Sequence, residues 1–352
     1  MKESMDLKKF DLEYYSKRIQ LFTLNNSEGL EIQITNFGGR IVSLFTPDKN
    51  GILEDIVLGY DNIDDYLNKE EVFFGAIIGR YGNRIAHGKF NIDNLEYTLE
   101  TNSENSKNHL HGGTNGFHNV VWDAKQVSKT QLELSHLSKE NEAGYPGNLE
   151  VTVLYELTDL NELKITYSAT TDKKTILNLT HHSYFNLTGK QNSNILKHHI
   201  KIYASNFTPI NNLMIPTGKI ESVTNSPLEF KTFQTIGSRI NADDDQIEKA
   251  HGYDHNYVID GSGLKKAADV YDPISKRTLE VFTTEPGVQF YTGNHLNNIK
   301  GKYNDTYHAN AAFCLEPQHF PDSPNQPHFP STIIKPEETY NSTTIYKFGV
   351  KI

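Results

Sequence analysis

Leu149-Glu150-Val151-Thr152-Val153-Leu154-Tyr155-Glu156-Leu157 is the stretch that decides the fold. Its apolar residues stand at every second position, the period of a strand with one buried face rather than the 3.6-residue period of a helix. After Thr158 to Glu162 the alternation returns as Leu163, Ile165, Tyr167 and Ala169, so the two runs read as a hairpin. Outward from this pair, Leu30, Ile32 and Ile34 alternate with polar neighbours until Gly38-Gly39 breaks the run and Ile41 to Phe45 starts another. Phe90 and Ile92, then Leu95, Tyr97 and Leu99, flank Asp93-Asn94, a two-residue turn. Short strands also fit Leu279 to Phe282, Val288 to Tyr291 and Ala312 to Leu315. Helical pattern is confined to a turn or two in Asp61 to Glu71 and in Asp243 to Ala250. Strands do not alternate with helices, which argues against a doubly wound α/β fold. The expectation is an all-β protein, a large antiparallel β-sandwich with few short helices.

The chain has 352 residues, 36 % of them hydrophobic and 11 % aromatic, enough for a sizeable core and too many for global disorder. No linker, repeat or shift in composition divides it. A single domain over residues 1–352 is expected, with 1–25 as a leading segment. The Pro-rich stretch from Pro317 to Pro336 reads as an ordered extended loop. A net charge of −10 argues against a nucleic-acid partner, which needs clustered Lys and Arg. Cys314 is the only cysteine, so no intrachain disulfide or Cys-rich zinc site can form. The sequence shows neither a signal peptide nor 18 successive apolar residues, so no membrane partner and a cytoplasmic location are expected, unless a leader has been removed.

Fifteen histidines stand in this chain, several in polar, Gly-rich surroundings. Asn108-His109-Leu110-His111-Gly112-Gly113 places two imidazoles on one face if it is a strand, an arrangement that suits a metal, but no acid follows. Thr180-His181-His182-Ser183 follows a β-type run, so only one of its two rings can face a given pocket. Gly79-Arg80-Tyr81-Gly82-Asn83-Arg84-Ile85 brings two guanidiniums together, each able to hold vicinal hydroxyls or a carboxylate. Gly252-Tyr253-Asp254-His255 sets an acid beside an imidazole. Cys314-Leu315-Glu316-Pro317-Gln318 sets a carboxylate at the end of an apolar strand, where burial demands partners or a task. The aromatics Phe117, Trp122, Tyr145, Tyr184, Phe290 and Tyr291 accompany these clusters. Rings beside Asn, Asp, Glu, Arg and His suit a sugar, whose C–H faces meet the rings and whose hydroxyls meet the polar groups.

These clusters, in this order, resemble the aldose 1-epimerase (galactose mutarotase) family. The matching motifs are Asn36-Phe37-Gly38-Gly39, Gly79 to Ile85, Leu110-His111-Gly112-Gly113 and Gly144-Tyr145-Pro146-Gly147-Asn148-Leu149. They continue with His182-Ser183-Tyr184-Phe185-Asn186-Leu187, Gly252-Tyr253-Asp254-His255, Val288 to Asn294 and Glu316 to Asn325. The resemblance implies a single β-sandwich of the galactose mutarotase type with an open sugar cleft and neither metal nor organic cofactor. It implies interconversion of the α and β anomers of free aldohexoses such as D-galactose and D-glucose. It carries the base onto Glu316, the acid onto His182 and a supporting role onto His111. Arg80 and Asp254 would hold hydroxyls, and Asn83, Gln318 and Phe290 would line the pocket. Many members have Asn where this chain has His181, which makes His181 the rival acid if the strand register is shifted. A general acid and base that exchange roles need pKa values near neutrality, met by a carboxyl raised through burial and an imidazole near its ordinary value. A noncatalytic sugar-binding protein, a glycosidase using Asp254 and Glu316, and a hexose-6-phosphate epimerase are the alternatives. Monomer and homodimer both stay open.

Overall fold

The computed structural model describes residues 4–69, 71–103, 107–190 and 192–351. The decisive hairpin is present as Leu149–Leu157 paired antiparallel with Glu162–Thr171. Val151 lies opposite Ala169, Val153 opposite Tyr167, Tyr155 opposite Ile165 and Leu157 opposite Leu163, so from Val151 on the alternating apolar residues of the two runs meet on the buried face. The pair belongs to a nine-stranded antiparallel sheet. Its order is Asp123–Ser128, Gln131–Ser138, Leu149–Leu157, Glu162–Thr171, Tyr340–Val350, Arg277–Thr283, Lys265–Tyr271, His199–Ile202 and Gln234–Thr235. The eleven-residue strand Tyr340–Val350 thus runs through the middle, between strands contributed from far earlier in the chain.

A five-stranded sheet, ordered Glu221–Ser222, Ala204–Thr208, Asp254–Ile259, Gly287–Tyr291 and Cys314–Gln318, shares one apolar core with the large sheet. A four-stranded sheet, Leu21–Asn25, Glu31–Thr35, Arg40–Pro47 and Leu53–Asp55, adds to the same core. The expected turns are in place. Gly38 and Gly39 both take positive φ between Glu31–Thr35 and Arg40–Pro47. Asp93 and Asn94 do so between Lys89–Ile92 and Leu95–Thr98, the backbone of the favoured two-residue hairpin turn. Among the described residues the α-helices are Ile63–Asn68 and Asp245–Ala250, each opened by an Asn or Asp side chain that accepts a first-turn amide. Neither is long or apolar enough to cross a membrane.

One strand differs from expectation. The segment expected at Ala312 to Leu315 forms instead as Cys314–Gln318 and runs through Pro317. It lies at the edge of the five-stranded sheet, where a missing N–H breaks no ladder. This strand and its neighbours position the site, because both faces of the sheet are buried here. Pairing sets His255, Phe290 and Leu315 in a row on one face and Asn256, Gln289 and Glu316 in a row on the other. The first face joins the apolar core, and the second carries polar groups into the interior.

Candidate active site

The short strand Thr180–His182 pairs with Ala76–Ile78 and turns successive side chains to opposite sides. His181 goes into the core, its Nε2 3.1 Å from the Tyr155 hydroxyl and its Nδ1 3.1 Å from Ser183 Oγ. His182 goes the other way, into a cavity of about 160 Å³ that it shares with Asn83, Arg84, His111, Asp254 and Glu316. Phe73, Tyr184 and Tyr291 supply aromatic wall, and Glu71, Leu110 and His295 complete the lining.

Glu316 projects into this cavity from the polar face of the five-stranded sheet. Its Oε1 lies 3.6 Å from His182 Nε2. The outer atoms of both, Glu316 Oε2 and His182 Nδ1, are buried without a protein partner. Buried polar atoms are normally satisfied, so an orphaned atom on each of two residues that line one cavity marks a place for something to bind. Tyr184 and Phe73 stack on the His182 ring, with centroids 4.8 Å and 5.8 Å away, and hold its plane. Asp254 accepts a hydrogen bond of 2.6 Å from Gln289 and faces Arg84 at 4.0 Å. Carboxyl groups, a guanidinium and several rings make a surface suited to a polyhydroxylated ring.

His111 stands just beyond the strand His109–Leu110, at φ 51°, which lifts its ring away from that of His109. Its Nδ1 accepts the Asn83 amide at 3.1 Å, so the proton of the neutral ring sits on Nε2 as a donor. Gly112 makes this placement possible. A Cβ there would lie 1.8 Å from the Gly79 carbonyl oxygen, so only glycine lets the loop rest on that backbone.

Burial controls the protons. It raises the Glu316 carboxyl well above 4.5, an effect that Asp254 reinforces and Arg84 opposes. It lowers His182 to about 4, against the pull of Asp254. His111 falls well below 6.5 for the same reason, with further repulsion from His182 and Arg84. The imidazole is therefore not near its ordinary value as expected; burial favours the uncharged form of both partners. His111, His182 and Glu316 also bring donor atoms within 4.8 Å of one another, the composition of a metal site. A tetrahedral ion with bonds of about 2.1 Å wants ligand atoms about 3.4 Å apart, so this set would have to contract to hold one. A larger depression of about 390 Å³ near Asp48, Glu54 and Asp272 has no histidine in its lining.

Residues 20–347 match the family model described as aldose 1-epimerase. The chain belongs to the aldose 1-epimerase family. By that membership it is an isomerase, a mutarotase. It is 42 % identical to galactose mutarotase of Bos taurus over 342 residues, 97 % of each chain. It is 41 % identical to the human galactose mutarotase over 92 % of each chain. Aldose 1-epimerase of Escherichia coli is 36 % identical over 94 % of this chain and 95 % of that one. Among solved structures, the GalM/aldose epimerase homologue from C. elegans superposes with a TM-score of 0.87 at 29 % identity, covering 94 % of this chain and 99 % of that one.

In this epimerase the expected site residues divide. His111, His182, Asp254, Glu316 and Asn83 meet at one cavity. Arg80 does not reach it. Its guanidinium is enclosed elsewhere and donates to Ser138 Oγ and to the carbonyls of Ser138, Lys139, Pro146 and Gly147. Arg84, four residues on, is the arginine at the cavity. Phe290 is also displaced: strand alternation puts it in the core against Phe230 and Tyr253, while Tyr291 lines the site and Gln289 supports it from behind by donating to Asp254. Gln318 sits two residues beyond Glu316 on the same face, its Nε2 3.5 Å from Gln289 Oε1, behind the lining rather than in it. His109 is directed to the Glu100 carbonyl and the Tyr145 hydroxyl, so the H-x-H pair does not share a face. Glu71, Phe73, Gln289 and His295 were not expected. Gln289 alone had a readable signal, its alternation with Phe290 inside a motif already singled out.

Proposed function

We propose that the protein interconverts the α and β anomers of free aldohexoses, D-galactose and D-glucose among them, with Glu316 and His182 moving the protons. One observation carries this reading: a carboxyl and an imidazole 3.6 Å apart, each with an unpartnered atom, at one sugar-sized cavity. Ring opening needs the C1 hydroxyl proton removed while the ring oxygen receives one. In the closed-sugar complex Glu316 is the carboxylate beside the C1 hydroxyl, and His182 carries the proton beside the ring oxygen. Transfer of both protons breaks the C1–O5 bond, leaves the open aldehyde, and converts the ion pair to neutral acid and neutral imidazole. Rotation about C1–C2 presents the other carbonyl face, and the reverse transfers close the ring.

The pocket's electrostatics fit this cycle. One proton is needed by the pair at all times, and burial makes the neutral arrangement the more stable one. That arrangement accompanies the open chain, so desolvation of the ion pair pushes the closed ring toward opening. His111 Nε2–H, Asn83, Arg84 and Asp254 supply donors and acceptors for the hydroxyls. A lining with three carboxyl groups against one guanidinium does not favour a sugar phosphate, and nothing in anomer exchange calls for a second substrate.

The test is exchange between the anomers of freshly dissolved α-D-galactose, followed by polarimetry with and without protein. Acceleration that disappears in Glu316→Gln supports the reading. Binding without acceleration leaves a sugar-binding protein and overturns it.

A further inference from the structure

Glu71 is a cavity residue that neither the motifs nor the proton transfers account for. It is the third carboxylate in the lining, after Asp254 and Glu316. Its position is built. Oε1 accepts the Phe73 amide at 3.0 Å, and its backbone carbonyl accepts the Tyr60 hydroxyl at 3.5 Å. Burial raises its carboxyl above the ordinary carboxylate range, while the Phe73 amide, the Arg40 guanidinium and the Tyr184 hydroxyl pull toward the charged form. Phe73 and Tyr184 are the two residues whose rings stack on His182. One carboxylate therefore touches both supports of the imidazole while facing the sugar space.

Its place along the sugar follows from the reading above, on which this inference rests. With Glu316 at the C1 hydroxyl and His182 at the ring oxygen, the next atoms along the ring are C5 and its exocyclic C6. Glu71 lines the same cavity and touches both supports of His182, so a sugar whose ring oxygen meets His182 can turn its C5–C6 end toward this part of the wall. A carboxylate accepts up to about four hydrogen bonds, and the partners above leave capacity for another. We propose that Glu71 is a specificity-determining residue that receives the C6 hydroxyl and turns away aldoses bearing an anionic group at C6, such as uronates. An ionised C6 group would bring like charge against a buried carboxylate and leave its acceptor capacity unused.

The experiment compares anomer exchange of D-galactose, D-fucose (6-deoxygalactose) and D-galacturonate for wild type and Glu71→Gln, using NMR exchange spectroscopy. The amide oxygen of Gln can still accept the Phe73 N–H, and thermal melting checks that the variant folds. Wild type is expected to prefer galactose over D-fucose by about tenfold or more in kcat/KM, the value of a hydrogen bond to a charged group. In Glu71→Gln that preference shrinks toward unity, chiefly through KM, and the discrimination against galacturonate relaxes by about tenfold on the same scale. Glu71→Asp, which keeps the charge but shortens the reach, should lose the galactose preference and still reject galacturonate. Equal losses on all three sugars in Glu71→Gln would mean a purely structural role and overturn the proposal, as would an unchanged rejection of galacturonate. If wild type fails to exchange galactose, the epimerase reading itself falls, an outcome distinct from either.

Discussion

The interior holds two buried acid–base pairs whose surroundings are opposite. Asp55 and Lys302 are completely enclosed and in contact. Asp55 Oδ1 accepts the Leu44 and Val57 amides, Oδ2 accepts Lys302 and the Tyr303 hydroxyl, and Lys302 also donates to the Val42 carbonyl. Glu316 and His182 are nearly as buried, yet stand 3.6 Å apart with an atom each unpartnered. The first pair spends its hydrogen-bonding capacity on the protein and fixes a junction between the four-stranded sheet and the segment around Lys302. The second withholds that capacity at a cavity where a ligand can supply it. Satisfaction, rather than burial, separates structural charge from working charge.

Breaking the second pair should produce the largest effect. Glu316→Gln is expected to lower turnover by about 10²–10⁴-fold, as is His182→Asn, with the fold intact. Near-normal turnover in steady-state polarimetry would remove that residue from the proton path. The same Glu316→Gln should raise Tm at neutral pH, because the raised pKa makes ionisation of Glu316 a burden on the folded state. That gain is absent below about pH 4.5, grows as pH rises, and levels off above the elevated folded value. Differential scanning calorimetry across pH reads it directly.

Breaking the first pair should do the reverse. Lys302→Met leaves Asp55 charged and partly unmatched, at a loss of about 3–5 kcal/mol in denaturant unfolding. The protein that remains folded should keep its kcat. A normal unfolding midpoint would place the Asp55 pair with the weak surface contacts instead.

The two arginines of one motif sharpen the contrast at smaller amplitude. Arg84→Ala should raise KM by about tenfold, the loss of one charged hydrogen bond, with little change in Tm. Arg80→Ala should lower Tm and leave KM near normal, since its guanidinium holds loop carbonyls rather than the site. The opposite assignment of KM and Tm would exchange their roles.

The smallest signal is in pH. His182, neutral in the fold down to about 4, cannot take the proton that the unfolded chain takes near 6.5. Its contribution to stability therefore falls as pH drops from about 6.5 to about 4. His182→Asn should flatten that part of the Tm–pH curve. The pair holds its single proton only between the lowered His182 value and the raised Glu316 value, so kcat should fall on both sides of that window.

Those same two arginines show how far the sequence could be read. The strands were legible because one face of each is buried: Leu149 to Ala169 spells out its own pairing, and Asp93-Asn94 its turn. Strand alternation said that only one of His181 and His182 could face the pocket, and the family motif pointed to His182. Arg80 and Arg84 are chemically identical and four residues apart, so nothing local says which is wrapped in carbonyls from residues 138–147 and which faces the cavity. Phe290 failed for a different reason. Its strand is buried on both faces, so hydrophobicity no longer marks the inward side, and Tyr291 beside it is the residue that lines the cavity. Glu71 and Phe73 arrive from a loop after a six-residue helix, where no period exists to be read.

The strand Tyr340–Val350 has a consequence for biosynthesis. A ribosome that has made residues 1–339 has released every other strand of the large sheet, yet the two halves of that sheet still have no partner where they should meet. Glu162–Thr171 and Arg277–Thr283 must wait with open ladders, each able to recruit the wrong neighbour. Nascent chains arrested before residue 340 should therefore be sticky chaperone clients, and the last zipper to close is the one that commits the molecule to its native form.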